Sequence, residues 1–160
     1  SLGGYPGDDP KGVEMQAKLE PAKLLMDFAA AFEWLKTDPD YNGKIGAVGF
    51  CFGGTMVNGL AVLLPDLAAG VPYYGGAPKA EDVPRIKAPL LIHHGELDKR
   101  LLEGLPGYEA ALKANGKTYE AFVYTNANHG FHNDTTPRYD KEQAELSWQR
   151  TMAFFKKHVG

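Results

Sequence analysis

The chain has 160 residues and a mass of 17.4 kDa, which suffices for one domain with a hydrophobic core and is too little for two ordinary domains. Hydrophobic residues make up 44% of the chain, and 17 Lys and Arg against 20 Asp and Glu residues give a formal net charge of −3. This composition excludes an intrinsically disordered chain, and it provides no basic surface for a nucleic acid partner.

The cysteine content and the N-terminal residues bear on the cellular compartment. Cys51 is the single cysteine, so an internal disulfide is excluded, and the first residues show no apolar signal core. We therefore expect a cytoplasmic protein. The apolar stretch 45–57 is rich in glycine and is shorter than the roughly 18 residues that a membrane span requires, so we expect no membrane partner. Because the chain begins at Ser1 in a turn-rich segment, we also expect native residues upstream of it.

Helix and strand patterns alternate along the chain. Residues 1–12 are rich in glycine and proline, which predicts a loop. Apolar residues at helical spacing predict helices, and short continuous apolar runs predict buried strands. The predicted helices span 21–36, 52–64, 102–114 and 141–158, and the predicted strands span 44–50, 69–74, 89–94 and 119–124. A capping box is predicted at Asp140 and Gln143. The alternation predicts a single α/β domain, 1–160, with a mostly parallel sheet flanked by helices.

A nucleophile elbow is predicted at Cys51. The sequence Gly-Phe-Cys-Phe-Gly lies between a buried strand and a helix, and such a turn lifts the central residue above the sheet. The start of the helix favours a thiolate there, and the N–H of Phe52 is a candidate donor to an oxyanion. The alternative is that Cys51 is a small buried apolar residue, as many free cysteines are.

Two later strands end in residues suited to the same chemistry. Asp98 follows the third predicted strand, and His129 with Gly130 follows the fourth. The carboxyl ends of parallel strands share one edge of the sheet, where open sheets bind ligands. The order nucleophile, acid, histidine is that of the α/β-hydrolases. Glu96 is an alternative to Asp98, and a surface-loop histidine is the alternative for His129.

Four motifs together resemble the dienelactone hydrolase family of the α/β-hydrolases. They are Gly-Phe-Cys-Phe-Gly-Gly, Tyr-Tyr-Gly-Gly, Gly-Glu-Leu-Asp and Asn-His-Gly-Phe-His, and the resemblance extends from residue 43 to the C-terminus. It implies that Cys51 is the nucleophile, Asp98 the orienting acid and His129 the general base. It also implies hydrolysis of a small ester or lactone through a cysteinyl thioester, with no cofactor and no metal.

Other residues have both a functional and a structural interpretation. Aromatic residues near the motifs are expected to line the cleft or to fill the core: Phe52, Tyr73, Tyr74 and Phe131. Arg100 and Arg138 are candidates to bind a substrate carboxylate, or are surface charges. His132 and Asp134 beside His129 match no standard zinc spacing. His93 and His94 are adjacent on a strand, so we expect them to face opposite sides and to be hydrogen-bonded core or edge residues rather than ligands.

The resemblance leaves part of the family pattern without a counterpart. Family members have upstream strands, a second oxyanion donor and a glutamate that activates the cysteine, and none can be assigned to a residue of this chain. We therefore expect an open sheet flank, covered by a homodimer partner or by an N-terminal fragment. Two other functions stay open: a catalytically silent remnant or interaction module, and a redox-responsive thiol protein.

Overall fold

The computed structural model describes residues 9–160, and its helices and strands alternate as predicted. In chain order the elements are α1 (Asp9–Gln16), α2 (Pro21–Leu35), β1 (Gly46–Phe50), α3 (Phe52–Leu63), β2 (Ala69–Tyr73), a 3₁₀ helix (Ala80–Arg85), β3 (Leu90–Gly95), α4 (Lys99–Leu102), α5 (Leu105–Ala114), β4 (Tyr119–Tyr124) and α6 (Lys141–His158).

The four strands form one parallel sheet in the order β1-β2-β3-β4. Each strand is joined to the next by a helical connection, as parallel pairing requires. The predicted fold class is confirmed: a parallel sheet flanked by helices. Because all the strands run in one direction, their carboxyl ends meet at one edge, and the loops that follow β1, β3 and β4 lie there together.

Side chains alternate between the two faces of the sheet, and each face has its own core. Leu90 and Ile92 of β3 belong to a cluster with residues of α2, α3 and α5. Leu91 of the same strand belongs to a second cluster, which also contains Phe154 of α6, Tyr124 and Phe131. This division follows from the two-residue period of a strand, and it makes β3 the centre of both cores.

Two local predictions differ from the structure, and one element was not predicted. The predicted loop 1–12 is wrong for residues 9–12, which form the start of helix α1, because Pro10 fits the first turn of a helix. The rest of that prediction, residues 1–8, lies outside the described part of the chain. The predicted helix 102–114 is divided into α4 and α5, since Pro106 lacks the N–H that a continuous helix needs and instead occupies the first turn of α5. The short 3₁₀ helix was not predicted. In contrast, the predicted cap is present: Gln143 N–H donates to Asp140 Oδ1 over 3.1 Å.

Strand β1 lies at one edge of the sheet. Its Val48 and Phe50 side chains are 39% and 37% exposed, whereas the two central strands, β2 and β3, are buried throughout. The open flank predicted from the sequence is therefore present in the described residues. Over residues 9–160, no helix is long and apolar enough to cross a bilayer.

Candidate active site

Cys51 sits in a strained turn between β1 and α3. Its φ of 56° and ψ of −115° are unfavourable for a residue with a Cβ, and such strain clusters at functional sites. Two backbone hydrogen bonds hold the turn: Cys51 N–H donates to the Tyr73 carbonyl over 3.1 Å, and Thr55 N–H donates to the Cys51 carbonyl over 3.2 Å. The cysteine is exposed, so the turn presents it to the cleft instead of burying it.

Glycine at position 49 makes this turn possible. A Cβ on Gly49 would collide with the backbone of Gly53, so strand and helix can approach only where a side chain is absent. The N–H of Phe52 occupies the first position of α3, where helical geometry leaves it without an intrahelical partner. This N–H is therefore a hydrogen-bond donor that α3 leaves free next to Cys51 in the chain.

His129 and Asp98 form a short, shielded pair. Nδ1 of His129 lies 2.6 Å from Oδ2 of Asp98, and the exposed fractions of the two side chains are 24% and 7%. A carboxylate at Nδ1 accepts the proton there, which leaves Nε2 to exchange a proton with a substrate or a thiol. Gly130 follows with a φ of 81°, and this left-handed turn lets the loop present the imidazole at the sheet edge.

The structure distinguishes Asp98 from its alternative, Glu96. Glu96 Oε2 accepts a hydrogen bond of 2.8 Å from Asn126 N–H, so this carboxylate ties the loop after β3 to the loop after β4. Asp98 N–H donates to the Gly95 carbonyl over 3.1 Å, and the turn thus formed directs the Asp98 side chain inward to His129. The two acids therefore face different partners.

Cys51 and His129 line one cleft of about 410 Å³, whose walls are formed by Phe50, Cys51, Tyr74, His129, Gly130, His132, Asn133 and Arg138. Within residues 9–160 no hydrogen bond joins the thiol to the imidazole. Catalytic hydrogen bonds often tighten only when substrate is bound, so a shared cleft is the relevant geometry. The three residues can serve nucleophile, base and orienting acid at one place.

The remaining predicted site residues divide into two groups. Tyr74, with a φ of 35°, and Arg138 line the cleft, and the Tyr74 ring lies 4.9 Å from that of His129. Phe52 is 49% exposed beside the elbow. Phe131, in contrast, is fully buried, and its ring centroid lies 5.6 Å from that of Tyr74 in an edge-to-face contact. Arg100 is exposed on α4 and is not among the residues that line the cleft. The structure thus brings Phe131 into the core and places Arg100 outside the site.

Three cleft residues were not predicted as site residues: Phe50, His132 and Asn133. The His132 ring lies 5.1 Å from Phe50 and 5.6 Å from Trp148, and burial lowers its pKa. Their signal in the sequence is position alone, since Phe50 precedes Cys51 and the other two follow His129. In the described part of the chain, no group of three His, Cys, Asp or Glu side chains is arranged to hold a metal ion.

His93 anchors a buried polar network beneath the cleft. Its Nδ1 lies 2.8 Å from the Tyr124 hydroxyl and its Nε2 lies 3.2 Å from Thr151 Oγ1. Thr151 in turn lies 2.7 Å from the Tyr73 hydroxyl, and the Tyr73 carbonyl accepts the bond from Cys51 N–H. The network therefore connects α6 and three strands to the elbow. His93 is therefore a hydrogen-bonded core residue, as expected. The same expectation is wrong for His94, which is buried but whose Nδ1 has no hydrogen-bond partner among the described residues.

Stability is expected to fall as the pH drops from 7 to 5. Burial lowers the pKa of His93 to about 3 and that of His94 to about 4, whereas the unfolded chain titrates near 6.5. In this window the native state binds fewer protons than the unfolded chain. The free energy of unfolding therefore decreases as the pH falls below 6.5 toward the pKa values of the folded state, by up to about 1.4 kcal/mol per pH unit for each histidine. Urea unfolding at several pH values measures this slope. A flat profile between pH 7 and 5 would contradict the assignment of two buried neutral imidazoles.

The parallel sheet, the strained residue after β1 and the acid–histidine pair after β3 and β4 define an α/β-hydrolase architecture. The chain belongs to the dienelactone hydrolase family, whose model matches residues 4–159. It is 31% identical over 157 residues to a candidate carboxymethylenebutenolidase of Methylorubrum extorquens, covering 91% of this chain and 54% of the relative. A second relative with the same description, from Saccharolobus solfataricus, is 32% identical over 136 residues, covering 84% and 52%.

A solved structure shows the same fold. It is the crystal structure of a candidate dienelactone hydrolase from Klebsiella pneumoniae, with a TM-score of 0.83 and 28% sequence identity, and the match covers 93% of this chain and 67% of the other. The chain spans about half the length of the curated relatives it matches.

Proposed function

We propose that this protein hydrolyses a small ester or lactone, with Cys51 as nucleophile, His129 as general base and Asp98 as the orienting acid. The observation that carries the proposal is the 2.6 Å pair between His129 Nδ1 and Asp98 Oδ2, in a cleft that also holds the strained Cys51. The names of the relatives, candidate carboxymethylenebutenolidases, support a substrate of this class.

Acylation transfers the acyl group from oxygen to sulfur. His129 Nε2 takes the thiol proton, the sulfur attacks the carbonyl carbon, and the carbonyl electron pair moves onto oxygen. The Phe52 N–H donates to this oxyanion. Asp98 stabilises the imidazolium through Nδ1. When the carbonyl re-forms, the C–O bond breaks and the leaving oxygen takes the proton from His129, which yields a thioester and an alcohol; in a lactone the alcohol stays attached to the acyl chain.

Deacylation repeats the same proton transfers with water. His129 takes a proton from a water molecule, whose oxygen attacks the thioester carbonyl. The C–S bond then breaks, the sulfur recovers its proton from the imidazolium, and the carboxylic acid leaves. Arg138 is the charged residue among those that line the cleft, and its guanidinium suits an anionic group on the substrate.

A pre-steady-state burst tests the proposal. With p-nitrophenyl acetate, acylation releases p-nitrophenol before the slower hydrolysis of the thioester, so we expect a burst stoichiometric with the chain. Stopped-flow absorbance measures its amplitude, and prior alkylation of Cys51 with iodoacetamide is the matched control, since it should remove the burst. A burst that survives alkylation would contradict Cys51 as nucleophile. No burst and no turnover would favour one of the two alternatives: the redox-responsive thiol if iodoacetamide alkylates Cys51 rapidly, and the silent module if it does not label Cys51.

A further inference from the structure

Two cavities adjoin the elbow. The cleft already described is lined by Cys51 and by polar side chains that include His129 and Arg138. The next residue of the chain, Phe52, lines a second cavity of about 270 Å³, whose other walls are formed by Gln16, Leu19, Pro21 and Leu24. The peptide bond between Cys51 and Phe52 is trans, so their Cα atoms are about 3.8 Å apart. The second cavity therefore begins one residue from the sulfur-bearing position.

The packing of α2 on α3 places this cavity at the elbow end of the sheet. A Cβ on Gly59 of α3 would lie 2.9 Å from Cδ1 of Leu25, in the second turn of α2. Further along the chain, Lys36 just after α2 forms an ion pair with Asp66 just after α3. The two helices therefore run side by side in the same direction, and the first turn of α2 lies beside the first turn of α3, where Cys51 precedes Phe52.

The second cavity is apolar, unlike the cleft. Four of its five described lining residues are apolar, and the fifth, Gln16, is an exposed residue at the end of α1. Phe52 and Leu19 are 49% and 37% exposed, so folding leaves apolar surface open on two of its walls. A water molecule occupies about 30 Å³ in the liquid, so the cavity has room for an aliphatic chain of several carbon atoms. Open apolar surface in a concave site is typical of ligand binding.

The chemistry of ester cleavage decides which part of an ester would enter this cavity. His129 must return a proton to the leaving oxygen, so the alcohol portion belongs in the cleft that His129 lines. The acyl portion stays bonded to the Cys51 sulfur and extends from the carbonyl carbon away from the leaving oxygen. It needs no group for proton transfer, and the apolar cavity next to Phe52 offers none.

We propose that the second cavity is the acyl subsite of this protein, and that its substrate is an ester of an aliphatic carboxylic acid with a chain of several carbons. The subsite rests on the proposed function, since it serves the hydrolysis assigned to Cys51 and His129. Phe52 then has two roles: its N–H donates to the oxyanion, and its side chain packs on the acyl chain. Leu19 and Leu24 complete the apolar wall and select chain length.

For p-nitrophenyl esters, kcat/KM is expected to rise with acyl length. Each methylene buried in an apolar site strengthens binding by up to about fourfold, so we expect the hexanoate to exceed the acetate by about tenfold or more. The length of the alcohol should matter much less, because polar groups line the cleft that receives it. Ethyl, butyl and hexyl acetates test this, with acid release followed in a pH-stat.

Leu19→Trp tests the cavity directly. Leu19 lies between α1 and α2 and is 37% exposed, so a larger ring can fill the cavity without displacing the core. We expect kcat/KM for the hexanoate to fall about tenfold, to the level of the acetate, while the acetate value and Tm stay unchanged. Val13→Trp is the matched control, since Val13 is 66% exposed on α1 and does not line the cavity. Leu19→Ala should shift the preferred acyl chain to a longer one.

Thiol modification gives a readout that does not require hydrolysis. An alkyl methanethiosulfonate reacts with a thiolate to form a mixed disulfide and release methanesulfinate, and intact mass spectrometry follows the rate. Relative to free cysteine, we expect Cys51 to react faster with the hexyl reagent than with the methyl reagent. Leu19→Trp should remove this preference, and Val13→Trp should retain it.

Equal kcat/KM across the acyl series of the native protein would overturn the acyl subsite, and this measurement requires no variant. Equal losses for acetate and hexanoate in Leu19→Trp, with Tm unchanged, would also overturn it, as would a hexyl preference that survives in that variant. If the hexyl preference depends on Leu19 while hydrolysis proves independent of Cys51, the proposed function fails and the cavity stands as a site for an aliphatic chain. Cys51-dependent hydrolysis with no effect of acyl length leaves the proposed function intact and excludes the subsite.

Discussion

Replacing Cys51 with alanine is expected to lower the steady-state rate of p-nitrophenyl acetate hydrolysis by about 10⁴-fold or more. Alanine removes the atom that forms the thioester, and the remaining cleft offers water no equivalent nucleophile in the elbow. The Asp98–His129 pair does not depend on the sulfur, since its 2.6 Å bond involves no cysteine atom. The loss should therefore appear in kcat, with folding unaffected.

Cys51→Ser is the informative companion variant. It keeps a side chain of similar size at the strained φ of 56° and keeps a nucleophilic atom, but its hydroxyl is far harder to deprotonate than a thiol. We expect an activity between those of the native protein and Cys51→Ala, with equal Tm values for all three proteins. Native-like hydrolysis by Cys51→Ala would show that the elbow is not the site of reaction.

Asp98→Asn is expected to lower kcat by about 10³- to 10⁴-fold. The amide cannot balance the charge of the imidazolium that forms during proton transfer, and its NH₂ group favours the tautomer with the proton on Nε2, where the thiol proton must go. The side chain is 7% exposed, so water does not replace the lost carboxylate. The effect should appear in kcat, measured from pH 6 to 9.

Glu96→Gln provides the matched control for this variant. The two acids are separated by two positions, but Glu96 accepts a hydrogen bond from Asn126 N–H and does not contact His129. An amide oxygen can still accept that bond, so we expect less than a twofold change in kcat, consistent with the small effect of most substitutions outside the site. Equal losses in Asp98→Asn and Glu96→Gln would contradict the assignment of the orienting acid.

The sequence predicts the strands and the elbow because both depend on local pattern. A continuous apolar run marks a strand covered on both faces, and β1 to β4 lie within a few residues of their predicted bounds. The position of Cys51 between β1 and α3 follows from the glycines around it. These features need no knowledge of distant contacts, so one sequence suffices for them.

The direction of loop side chains could not be predicted in the same way. Asp98 and Glu96 have similar chemistry, and only the turn closed by Asp98 N–H on Gly95 decides which one meets His129. Phe131 lies two residues after His129, yet the chain turns at Gly130 and places the Phe131 ring beneath Tyr74. The unpaired nitrogen of His94 likewise depends on packing from several elements.

The start of the described chain shows how a local signal can be ambiguous. Pro10 suits a turn as well as the first turn of a helix, and helix α1 uses the second option. The open β1 edge, in contrast, follows from strand count: in the described residues the sheet has four strands, and β1 is outermost.

Identifying the acylated residue tests the central claim most directly. The protein is mixed with p-nitrophenyl acetate, quenched in acid during the burst, and digested for peptide mass spectrometry. We predict one acetyl group on the peptide that contains Cys51, removable by neutral hydroxylamine as a thioester is. Turnover with no acetyl group on Cys51, or with the acetyl group on another residue, would contradict the account.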